Sequence, residues 1–110
     1  MDLNYIVVYV TIPSEEVGRH IAEKLLADKL AACANLLPGV MSLYTWQGQL
    51  QSDKELLMVI KTRRDLFEPL VEVVSREHPY QVPEIIAMPL VAGSAPYLAW
   101  IDEVTQGSAG

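Results

Sequence analysis

Residues 36–47 and 49–61 are two runs of strand-favouring residues, 12 and 13 long, that meet at the tight reversal Gln47-Gly48-Gln49. At ~3.3 Å per residue a straight hairpin of that length reaches roughly 40 Å. A single domain of 110 residues has a radius of gyration of only about 13 Å. The ribbon must therefore bend, with Pro38-Gly39 the natural place, or project beyond the body of the fold. It carries Tyr44 and Trp46 near the turn and the dense apolar run Leu56-Leu57-Met58-Val59-Ile60 on its return. A projecting aromatic ribbon with open strand edges needs a partner, and closure in threes leaves no free edge. The expectation is a cyclic homotrimer.

The rest of the chain supplies a frame for that hairpin. Tyr5-Ile6-Val7-Val8-Tyr9-Val10-Thr11 is β-branched or aromatic throughout, which predicts a strand buried on both faces. Pro13 ends it, and Ser14 is placed to cap a helix whose first turn holds Glu15 and Glu16, favourable at the positive end of the helix dipole. Val17, Ile21 and Leu25, with Ala22 and Leu26, recur at four-residue steps and carry the helix to about Lys29. Residues 30–37 are apolar and fit either a helix end or a strand. Thr62-Arg63-Arg64-Asp65 matches a capping box, with Asp65 the alternative cap because Pro69 must lie near a helix start. Leu66, Leu70, Val73 and Val74 form the next helical stripe, which stops before His78-Pro79. Residues 84–90 read as a strand that Pro89 confines to an edge or an end, and residues 96–104 as a terminal helix. The order is that of an α+β, ferredoxin-like split βαβ unit: an antiparallel sheet with helices on one face, extended by a C-terminal helix. It predicts one domain over residues 1–106 and a flexible tail over 107–110.

Charge and cysteine content exclude several classes of partner. Eight basic against 14 acidic side chains leave a formal net charge of −6, so no basic stripe exists for nucleic acid or an anionic membrane. The single cysteine, Cys33, rules out an internal disulfide and the multi-cysteine metal motifs. The first residues show neither a basic leader nor a cleavage site, and no apolar run is long enough to span a bilayer; the expected location is the cytoplasm.

Chemistry has few candidates. Cys33 sits among Ala31, Ala32 and Ala34, the surroundings of an inert buried thiol. There is no G-x-S-x-G, no phosphate-cradling glycine loop and no H-E-x-x-H, so no enzyme is expected. His20 lies between Glu16 and Glu23, either three donors on one helix face or an ordinary solvated face. His78 follows Glu77, precedes a proline and stands six residues ahead of Glu84. It is either a metal ligand or a histidine that favours a helix C-terminus. Lys61, Arg63 and Arg64 offer an anion site or simple solvated charge, with Lys61 set apart by following directly on an apolar strand.

Taken together, five segments carry a family resemblance. They are Leu30-Ala31-Ala32-Cys33-Ala34-Asn35-Leu36-Leu37-Pro38-Gly39, Tyr44-x-Trp46-x-Gly48, Lys61-Thr62, His78-Pro79-Tyr80-x-x-Pro83-Glu84 and Tyr97-Leu98-x-Trp100. In this order and spacing the chain closely resembles the CutA family of divalent-cation tolerance proteins over residues 6–105. The resemblance implies the ferredoxin-like fold, tight trimers built by edge pairing of long hairpins, and a role in tolerance of or response to divalent metal. Copper is bound by some members through a cysteine near the end of the first strand and two adjacent histidines. Here Val10 and Glu77 occupy the cysteine and first-histidine positions, leaving His78 with Glu77, a harder and weaker set for copper or another divalent cation. The resemblance further implies a cleft between subunits lined by Cys33, Trp46, Lys61, Tyr80 and Glu84. Its alternative function is that of a signalling or interaction trimer, holding a small anionic ligand against Lys61.

Overall fold

The computed structural model describes residues 4–107, so the expected C-terminal tail lies, apart from Gly107, outside the described residues. The chain runs β1 (Tyr5–Ile12), α1 (Glu15–Ala27), β2 (Cys33–Trp46), β3 (Gln49–Arg63), a 3-10 turn (Arg64–Leu66), α2 (Phe67–Glu77), β4 (Ile85–Pro89) and α3 (Ala95–Val104). The four strands form one sheet in the order β2-β3-β1-β4, every neighbour antiparallel. This is the α+β, split βαβ topology expected from the element order.

The core lies between the sheet and helices α1 and α2. Ile6, Val8, Val10 and Ile12 of β1 and Met58 and Ile60 of β3 meet Ile21, Ala22 and Leu25 of α1 and Leu70, Val73 and Val74 of α2. Each fully buried aliphatic side chain contributes about 1.5–3 kcal/mol, so this interface outweighs any single polar contact. β1 is not buried on both faces as its composition suggested. Its residues alternate between buried and half-buried, because no layer covers Val7, Tyr9 and Thr11 as the helices cover their neighbours. α3 is placed instead by contacts on that second face: the Tyr5 hydroxyl donates to Asp102 at 2.6 Å, and Tyr97 faces Cys33.

Local chemistry fixes the element ends. The Ser14 hydroxyl accepts from the Val17 N–H at 3.2 Å, the cap expected from sequence. The capping box at Thr62 does not form. Thr62 remains in β3, wholly buried, and its hydroxyl donates to the Leu30 carbonyl at 2.7 Å, so it is unavailable to a helix end. Nor does Asp65 cap α2: it lies within the 3-10 turn, and Leu66 occupies the cap position without a side-chain bond.

The hairpin both bends and projects. Its ladder slips between Leu37 and Val40, where Gly39 takes φ +81, a value open to glycine at little cost. At the tip, Gln47 (φ 52) and Gly48 (φ 78) both lie in the left-handed region, as a two-residue type I′ loop demands. β1 stops pairing at the Ile12–Leu56 partners, while β2 and β3 continue together to Trp46 and Gln49. The molecule accordingly measures 44 × 27 × 22 Å. Met41, Leu43 and Leu50 on the overhang are 65%, 65% and 79% exposed, a large apolar display for so small a domain.

Candidate functional site

Where β1 ends, the connection over residues 78–84 runs beside the overhanging part of β3. His78 anchors it. The ring is 7% exposed, its Nε2 lies 2.8 Å from the Thr11 carbonyl, and its Nδ1 accepts from the Tyr80 N–H at 3.1 Å. A carbonyl can only accept, so the proton sits on Nε2 and both ring nitrogens are committed. Tyr80 packs on the imidazole with centroids 4.6 Å apart, and its hydroxyl donates to Glu55 at 2.7 Å. Burial, and then the Glu55 bond, push the Tyr80 hydroxyl well above its ordinary pKa of 10.0.

The result is a cleft of about 600 Å³ between the hairpin and this connection, lined among others by Tyr44, Trp46, Asp53, Glu55, Tyr80 and Glu84. Tyr44 donates to Asp53 across the ribbon, and that bond raises the tyrosine's pKa. Of the five residues expected to share a cleft, the structure brings Trp46, Tyr80 and Glu84 together. Cys33 and Lys61 are directly paired partners at the opposite end of β2 and β3. The Lys61 ammonium donates to Asn35 Oδ1, and the Cys33 thiol lies 3.9 Å from the same oxygen. Cys33 is half-buried rather than buried, because it opens an edge strand and its thiol faces Tyr97 instead of the core. Tyr97 in turn packs against Trp100 at 5.4 Å.

Glu77 and His78 do not form a joint metal-ligand pair, as the sequence had suggested. His78 has no free nitrogen, while Glu77 turns to α1 and meets His20 Nε2 at 2.7 Å and Arg76 Nε at 3.2 Å. Those two bonds, His20's first, hold the Glu77 carboxyl below its ordinary value. His20 accordingly pairs across the two helices, not with Glu16 or Glu23 of its own face. Among the described residues no three His, Cys, Asp or Glu side chains converge to hold an ion, so the donors present do not fit a copper centre. No described helix is long and apolar enough to cross a membrane.

Sequence reasoning missed Asp53 and Glu55. The signal was the turn: once Gln47-Gly48 fixes the register, Ser42 falls opposite Asp53 and Val40 opposite Glu55, on the same strand positions as Tyr44 and Trp46.

Comparison with known proteins agrees with this architecture. The family model described as CutA1 divalent ion tolerance protein matches residues 6–104. The chain is 50% identical over 101 residues to the chloroplastic protein CutA of Arabidopsis thaliana, covering 92% of this chain and 56% of that protein. It thus spans little more than half of its plant relatives. It is also 50% identical over 99 residues to the divalent-cation tolerance protein CutA of Thermus thermophilus, covering 90% of this chain and 96% of that one. The crystal structure of CutA1 from Oryza sativa superposes with a TM-score of 0.92 at 45% identity, covering 97% of this chain and 98% of that chain. In sequence and topology, this chain belongs to the CutA1 divalent ion tolerance family.

Proposed function

We propose that the chain is a non-enzymatic binding protein of the divalent-ion response, working in the cytoplasm as a homotrimer. In this reading the Trp46–Tyr80–Glu84 cleft of one copy is completed by Cys33 and Lys61 of another. One observation carries it: Cys33 opens and Trp46 closes the 14-residue β2, roughly 40 Å apart at ~3.3 Å per residue, and Tyr80 bonds Glu55, well along β3 from Lys61, so one chain cannot bring the set together. The exposed Met41, Leu43 and Leu50 on the overhang, and the free edges of β2 and β4, provide the surface for association. Direct binding of copper or another divalent cation is then weak and secondary, since His78 is committed to the backbone and Glu77 to His20 and Arg76.

Sedimentation equilibrium at micromolar concentration tests the assembly. The expected mass is three times 12.2 kDa, and Trp46→Glu should shift it toward monomer while leaving helical circular dichroism intact. A monodisperse wild-type monomer refutes the assembly and the shared cleft with it.

A further inference from the structure

The charge on the cleft identifies the kind of molecule it takes. Its charged lining is Asp53, Glu55 and Glu84, and among the described residues no lysine or arginine pairs with any of the three. Glu55 is only 7% exposed, and the Tyr80 hydroxyl that bonds it is neutral. A carboxylate so far out of water is ordinarily matched by a cation. Tyr44, Trp46 and Tyr80 supply aromatic faces beside these acids, the combination that attracts an ammonium group through both charge and ring quadrupole. The volume of about 600 Å³ suits a molecule of several heavy atoms, and among the described residues no three donors converge on a bare ion. Adding one Lys61 from a neighbouring copy still leaves three carboxylates against one ammonium. The anionic ligand expected from Lys61 therefore does not suit this cleft: the lysine lies elsewhere on the chain and the lining is acidic.

We propose that the cleft binds a small organic cation, an aliphatic amine whose ammonium group meets Glu55 and Glu84 while its methylenes lie against Trp46 and Tyr80. This rests on the reading of the cleft as the functional site. The whole chain, at a net charge of −6, also favours the approach of cations.

The test uses three probes of equal chain length and different charge: 1,4-diaminobutane, 1,4-butanediol and succinate. In a Trp100→Phe chain Trp46 is the sole indole, so its fluorescence reports the cleft, with calorimetry as a second measurement. The diamine should give a saturable change that weakens with added salt, while the diol and the dicarboxylate give none. Glu55→Gln, which keeps an acceptor for Tyr80, and the exposed Glu84→Gln should each weaken the diamine by at least about tenfold. Thermal unfolding confirms that each variant is folded, and Glu84→Gln carries the test if Glu55→Gln is not. Binding of succinate, equal binding of diamine and diol, or no binding of any probe overturns the proposal. Sedimentation of the same samples separates the two ideas. A trimer that ignores the diamine refutes the ligand class alone; a monomer that binds it refutes the assembly alone.

Discussion

His78 provides the sharpest test of the structural reading, because it separates a scaffold histidine from a metal ligand. Replacing it by alanine removes two hydrogen bonds, at 2.8 Å to the Thr11 carbonyl and 3.1 Å from the Tyr80 N–H. Each bond is worth about 1 kcal/mol net, more where the abandoned partner stays dry. The ring is 7% exposed and packs on Tyr80, so its loss adds a cavity term of about 1 kcal/mol or more. The expected loss is therefore about 3 kcal/mol, which lowers Tm by roughly 4–8 °C per kcal/mol in a domain of this size. Urea unfolding at fixed protein concentration measures it, the concentration being held because association shifts apparent stability. Copper or zinc titration of the wild type and of His78→Ala runs in parallel, with the expectation that the variant changes stability and not metal affinity. A loss under about 1 kcal/mol, accompanied by loss of metal binding, would refute the argument, since the ring would then owe its place to an ion.

The His20–Glu77 bond joins α1 to α2 and makes stability depend on acid. Glu77 titrates below its ordinary value of 4.5 in the folded state, so its contribution is complete above about pH 4.5 and is lost as pH falls through the lower folded value. Urea midpoints measured across pH 3–6 should fall less steeply on acidification in His20→Ala, and an unchanged slope contradicts the assignment. At Gly18 a Cβ would overlap Ile12 Cδ1, the end of a fully buried side chain that must shift to admit it. Gly18→Ala should cost about 1–3 kcal/mol from overpacking despite alanine's ~1 kcal/mol advantage in a helix, and Ile12→Val should recover part of it; equal or greater stability of the single variant rules out the tight contact.

What could be read from the sequence was whatever depends on near neighbours. Ser14 caps α1 because capping is a three-residue affair, and the stripes of α1 and α2 give the helical half of the core without knowledge of the topology, whereas the uniformly apolar β1 hides which of its faces the helices cover. Thr62 shows the limit. Its local pattern matches a capping box, yet its hydroxyl is taken by the Leu30 carbonyl, 32 residues away, because β3 continues into the core. Tertiary burial there decides against local propensity. The candidate site divides along the same line. That His78 lies beside an acidic residue is visible in the chain, but not that Glu77 turns to His20, 57 residues earlier, while His78 turns to Thr11. Adjacent residues leaving a helix end point to different partners, so spacing in the chain names donors without showing that they converge. Register across the hairpin is more reliable, because a type I′ turn at Gln47-Gly48 fixes every pairing back to Val40. Counted from that turn, Asp53 and Glu55 share a face with Tyr44 and Trp46, and the acidity of the cleft follows. The bulge between Leu37 and Val40 then shifts the count before Cys33 and Lys61 are reached. One run of sequence thereby carries two clusters that lie apart within one chain, one acidic and aromatic toward the tip and one around the Lys61–Asn35 bond at the base.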